Sequence, residues 1–187
     1  MTKKYLAEIK ALNGDKIGTQ AHGQATFTLT ADQLQIKLEM FATPANMQHW
    51  AHFHGFPDGE DAQVVTLADD ANGDGWLDLP ETAPVSGATM VPFDNAPQQM
   101  NIPNDRYPVA DAKGHFVYQA QVPLADLQKQ FKAAFGTTDL ALATRVVYIH
   151  GVPESLQLPD TVAGEVANYG SRIFGVGKYF HSKSTRP

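Results

Sequence analysis

The fold class this sequence predicts is a mostly β one, an antiparallel β-sandwich or barrel with long loops and one short helix. Three observations predict it: apolar and polar residues alternate through much of the chain, one stretch has helical spacing, and a central region rich in proline and small polar residues has neither. The chain has 187 residues, 43% of them hydrophobic and 18% charged. That composition folds, and that length predicts a single domain spanning 1–187.

Residues 5–12 read as a first strand that ends at the turn pair Asn13-Gly14. Ala25, Phe27 and Leu29 then alternate with Thr26, Thr28 and Thr30, and Leu34, Ile36, Leu38 and Met40 with Gln35, Lys37 and Glu39. This period of two predicts a hairpin with one buried face. A further strand is expected over 48–56. Residues 57–114 hold seven of the twelve prolines and predict ordered loops rather than sheet. Alternation resumes over 115–122, with Phe116, Tyr118, Ala120 and Val122 on one side. Pro123 opens a helix over 124–135, in which Leu124, Leu127, Phe131 and Phe135 share a face and Gly136 supplies the stop. Residues 140–150 return to a β-rich run.

The net charge is −6, and its distribution is uneven: between Lys37 and Arg106 there is no Lys or Arg, yet eleven acidic residues. Such a region repels phosphate backbones and attracts cations, which excludes nucleic acid as the expected partner. No stretch has the length and apolarity of a membrane span, and the first residues lack the apolar core of a signal peptide, so the chain as given is expected to be cytoplasmic. The absence of cysteine removes disulfides, thiolate metal sites and cysteine nucleophiles. Any metal must be held by nitrogen and oxygen.

One segment has oxygen donors at calcium-binding intervals. Within 70–81, Asp70, Asn72, Asp74, Asp78 and Glu81 occupy positions 1, 3, 5, 9 and 12 of a twelve-residue EF-hand-type loop. Trp76 at position 7 would give a backbone carbonyl, Gly75 allows the sharp turn, and Leu77 would anchor the loop in the core. The alternative is an Asx-rich turn that satisfies only its own backbone. Pro80 and Pro84 argue against a long exiting helix, so the loop is expected to lack a full helix pair. A calcium ion without paired helices to open would serve as a structural ion rather than a sensor.

Four histidines fall in two places, His49, His52 and His54 in QHWAHFHGF and His150 in RVVYIHG. On a strand, His52 and His54 point to one face, the spacing at which a sheet offers two imidazoles to one ion. His150 would join them if its strand is a neighbour. His49 is out of phase and joins only through a bulge. The competing readings are buried histidines hydrogen-bonded to backbone or acids, and a catalytic acid or base. His22, His115 and His181 read as surface or strand-end residues.

The segments GQATFTLTADQLQIKLEM, QHWAHFHGF, ADDANGDGWLDLPE, MVPFD and RVVYIHG, in that order, resemble bacterial proteins of the chordin-like (CHRD) domain family across residues 5–160. The H-x-H-G strand is also similar to the copper-ligand strand of Cu/Zn superoxide dismutase. These resemblances imply a superoxide dismutase-like or immunoglobulin-like β-sandwich, with His52 and His54 as metal ligands and His150 as the ligand from a late strand. They also imply exported relatives. The chain departs from a dismutase in having no cysteine pair and in offering Asp and Asn, rather than further histidines, after His54. Residues 161–187 match nothing in the pattern.

Three functions follow as expectations. The first is a metal-binding module with structural calcium and histidine-bound copper or zinc; the second is a dismutase-like redox enzyme; the third is a protein-interaction module without catalysis. Hydrolase and nucleotide-binding patterns are absent from the sequence, and no residue pattern fixes a reaction.

Overall fold

A computed structural model describes residues 1–164, 166, 169–172 and 174–175. Its strands are β1 (Lys3–Ala11), β2 (His22–Leu29), β3 (Gln33–Phe41), β4 (Ala51–Gly55), β5 (Ala88–Pro92), β6 (Phe116–Pro123), β7 (Val146–Ile149), β8 (Tyr169–Arg172) and β9 (Phe174–Gly175). They pair antiparallel along one path, β5-β4-β7-β8-β1-β2-β3-β6, with β9 also on β1. The mostly β, antiparallel class is as the alternation predicts.

The path folds into two wings that share one core. The β2–β3 register sets Ala25 opposite Leu38 and Phe27 opposite Ile36, so their apolar residues line a single face. Ala51 and Phe53 of β4 and Val147 and Ile149 of β7 supply the facing layer, and both sets belong to the same buried cluster. Phe93, just beyond β5, bridges the layers. Its ring centroid lies 5.9 Å from Phe27, 5.9 Å from Tyr118 and 6.5 Å from Phe53. Among the described residues no ladder joins the edges β5 and β6.

Helix α3 (Leu124–Phe135) forms as its spacing predicts, burying Leu124, Leu127 and Phe131 and ending at Gly136 in the left-handed conformation. Two further helices depart from the expected single one. A single turn, α1 (Gly14–Ile17), stands where a simple turn was expected. The second, α2 (Leu79–Ser86), leaves the 70–81 loop despite its prolines. Pro80 sits in the first turn, where the amide hydrogen has no helical partner to lose, and Pro84 costs one bond in a helix of only eight residues. Strand β5 corrects the expectation of loops alone over 57–114: five residues between prolines pair with β4. No described helix is long and apolar enough to cross a membrane.

The wing containing β4 and β7 positions the candidate site. All five residues of β4 and all four of β7 are buried, so both faces of this wing are covered. The register sets His52 opposite Tyr148 and His54 opposite Val146 on the face away from the core. In an open antiparallel sheet that face would meet water. Here Ala62, Val65, Leu77 and Val85 pack on Val146 and Tyr148 from outside.

Replacing Phe93 with alanine is expected to remove the contact between wings and cost about 3–5 kcal/mol. Chemical denaturation should read this as a lower midpoint; a loss below about 1 kcal/mol would mean that Phe93 does not join the layers.

Candidate metal centres

His52 and His54 are fully buried and His150 is 4% exposed. One ring nitrogen from each lies within 4.8 Å of those of the other two. The ring centroids are 5.5 Å apart for His52–His54, 5.0 Å for His52–His150 and 6.2 Å for His54–His150. The expected face-sharing of His52 and His54 thus holds, although the β4–β5 register shifts between Phe53 and His54. His150 follows the last residue of β7. Its amide donates to the Trp50 carbonyl at 2.7 Å, which carries the β4–β7 pairing one step further and brings the third ring to the other two.

The three rings are held neutral. Burial, then the neighbouring His150 and His54, push His52 well below the ordinary histidine value of 6.5. Burial and then His150 lower His54 to about 3. Burial lowers His150 to about 4, opposed by its bond to the Val166 carbonyl. That bond also fixes a tautomer: a carbonyl only accepts, so His150 Nδ1, 2.7 Å from it, carries the hydrogen and Nε2 the lone pair. A metal-bound histidine is oriented in this way by its second nitrogen.

Neither ring nitrogen of His52 has a hydrogen-bond partner among the described residues, nor does Nδ1 of His54. His54 Nε2 meets the Thr89 hydroxyl at 3.4 Å, and a backbone hydrogen bond with Gly87 partly offsets the lowering of its value. Leaving such a group dry and unsatisfied costs about 1–3 kcal/mol, so two neighbouring buried rings with bare nitrogens favour an occupant. The donor set fits a transition metal: neutral imidazoles suit zinc and copper, and no thiolate or hard oxygen cage competes. Ligation at about 2.0–2.1 Å needs nitrogens nearer about 3.3 Å apart, a change within reach of ring rotation.

His49 does not join. Its Nδ1 lies 2.9 Å from the His150 carbonyl and its Nε2 2.9 Å from the Pro44 carbonyl, with the ring stacked on Phe116. It precedes β4 rather than bulging within it, and it braces the backbone beside His150. Sequence reasoning missed Tyr107 and Tyr148. The Tyr107 ring meets His52 edge-on at 5.8 Å, and that of Tyr148 meets His54 edge-on at 5.0 Å. Tyr148 also accepts from the Val65 amide and bonds the Ser86 hydroxyl, tying the covering layer to the histidine face. Of the remaining histidines, His22 and His115 stack on either side of Phe41, and His181 lies outside the described residues.

The 70–81 loop curls around its own carboxylates. Asp70 accepts from the Gly73 and Gly75 amides at 2.8 and 2.7 Å, Asn72 from Asp74, and Asp74 from Trp76. Glu81 reaches back across the loop, taking the Ala71 amide on one oxygen and the Asp78 amide on the other. Gly75 has φ 76°, a turn open to few other residues. The loop is preceded by a 3-10 turn (Leu67–Asp69) rather than a helix, so the expected lack of a full helix pair holds with α2 as the lone flank. Leu77 anchors it, buried against Tyr148 and Val146.

Asp78 is the N-cap of α2 and forms a capping box with Glu81. It is 2% exposed; its Oδ2 accepts from the Ala163 amide at 2.7 Å, and its Oδ1 has no partner among the described residues. Among the described residues, Lys16 Nζ donates to the Asp74 carbonyl at 3.3 Å and lies over the Trp76 ring.

No protein-family model matches this chain, and no curated protein matches it either.

The depressed histidine values set a pH dependence. Below 6.5 the unfolded chain takes up protons that the folded rings refuse, so their contribution is complete above that value and is lost as pH falls towards 4 and then 3. Calorimetry of chelator-treated protein is expected to show a melting temperature lower by roughly 5 °C or more at pH 4.5 than at pH 7. A level profile over that interval would mean that the rings are not neutral in the fold.

Proposed function

We propose that the protein is a metal-binding β-sandwich module. In this reading His52, His54 and His150 hold copper or zinc, and Asp70, Asn72, Asp74, Trp76, Asp78 and Glu81 hold a structural calcium ion. The carrying observation is the convergence of three buried, neutral imidazoles whose ring nitrogens lie within 4.8 Å of one another. The unmet hydrogen-bonding capacity of His52, and of His54 at Nδ1, supports an ion beside them. Three nitrogen ligands leave a position for a small exchangeable ligand, and a bound dication there would acidify a water. A cavity of about 300 Å³ lined by Met47, Trp50, Leu158 and Val166 adjoins His150 and gives this part of the site a path to solvent.

Two features support calcium in the loop. The donors recur at EF-hand intervals, and the buried Asp78 Oδ1 lacks a partner among the described residues. By mass action, an ion that binds only the folded state stabilises it.

Elemental analysis of purified protein is expected to find close to one copper or zinc per chain, and His52→Ala with His54→Ala should remove it. Protein saturated with both metals that retained neither after desalting would overturn the histidine site. Asp70→Ala is expected to abolish high-occupancy calcium binding and lower the melting temperature. An identical melt with calcium and with chelator would remove the structural ion.

A further inference from the structure

We propose that calcium in the 70–81 loop raises the affinity of the histidine trio for its transition metal, with Thr161, Ala163 and Val166 as the contacts that link them. The proposal rests on the two metal sites above and adds their coupling. It starts from three short bonds made by one stretch of chain. The Thr161 hydroxyl donates to Asp74 Oδ2 at 2.6 Å, the Ala163 amide donates to Asp78 Oδ2 at 2.7 Å, and the Val166 carbonyl accepts from His150 Nδ1 at 2.7 Å. Positions 5 and 9 of the loop and one imidazole of the trio are thus fastened to points at most five residues apart in sequence.

Packing stiffens the connection. Val166 is buried with Trp76, position 7 of the loop, and Ile17, and Val152, Leu156, Leu158 and Val162 pack against them. Gly164, with φ 73°, lies so close to Leu79 that a Cβ there would stand 3.1 Å from the Leu79 Cβ. A second contact runs from Leu77 to Tyr148, whose ring meets His54. Segment and loop are thus in contact at Val166 with Trp76 and at Gly164 with Leu79.

Chemistry gives the coupling its sign. Without a cation the carboxylates of Asp70, Asp74, Asp78 and Glu81 repel one another, which loosens the two that grip Thr161 and Ala163. A calcium ion gathers them, holds the segment, and keeps the Val166 carbonyl where it fixes the His150 tautomer with Nε2 available as ligand. Linkage requires the reverse effect to be equal: a metal on the histidines tightens calcium.

The test uses the full chain and zinc, followed by competition with a chromophoric indicator, in calcium-stripped buffer and again with saturating calcium. Calcium is expected to tighten zinc binding about tenfold. Thr161→Val deletes the hydroxyl bond and leaves every proposed ligand in place, so it should still bind calcium while the effect on zinc shrinks several-fold. With calcium occupancy shown by a melt that a chelator lowers, zinc bound with equal affinity in both buffers overturns the coupling alone; a melt that chelator leaves unchanged overturns the calcium site and the coupling with it. No zinc binding in either buffer overturns the histidine site and the coupling with it. An undiminished calcium effect in Thr161→Val overturns the route through 161–166.

Discussion

Three imidazoles taken out of water need something to replace their hydration, and the rest of this molecule is arranged around that requirement. His52, His54 and His150 stand on the outer face of β4 and β7, where an antiparallel sheet ordinarily meets solvent. Burial forbids their charged forms, so each keeps a lone pair, and neutral nitrogen donors in a dry spot have high affinity for a borderline-soft dication. The same dryness makes an unfilled site expensive. Such a cluster is a local instability, and the surrounding structure must hold the rings in place against it.

The holding is done by segments that are not sheet. The loop following β4, helix α2 and the chain beyond β7 cover the histidine face through two small apolar clusters. A carboxylate-rich loop is a poor lid by itself, because its charges repel. Leu77 joins this loop to the sheet, and Asp74 and Asp78 join it to the chain beyond β7; in the proposed reading a hard cation at its centre would stiffen that cross-link. The buried, half-satisfied Asp78 is the residue where the two halves of this arrangement meet.

Much of this was legible in the chain because the signals are local. The alternation of 25–40 and 116–122 reports the pleat directly, and the helix over 124–135 reports its own buried stripe. The shared face of His52 and His54 follows from the same period of two. Where sequence reasoning failed, a local rule was overridden. Two prolines discouraged α2, yet one sits in the first turn, where its missing hydrogen is harmless. Strand β5 is five residues long between prolines, and only pairing with β4 makes it a strand. His49 shares a motif with the other histidines, but backbone carbonyls on both sides occupy its nitrogens.

The sequence by itself determined the ligand chemistry available, nitrogen and oxygen without sulfur, the β class, and the oxygen spacing of one loop. Each depends on residue type and on neighbours a few positions away. Tertiary structure alone decided that His150 lies beside His52, since this depends on the register of β4 against β7 across almost a hundred residues. It alone joined Thr161 and Ala163 to the loop and Val166 to His150. Such contacts have no period and no spacing to betray them. They arise from the packing that removes water from both faces of the wing.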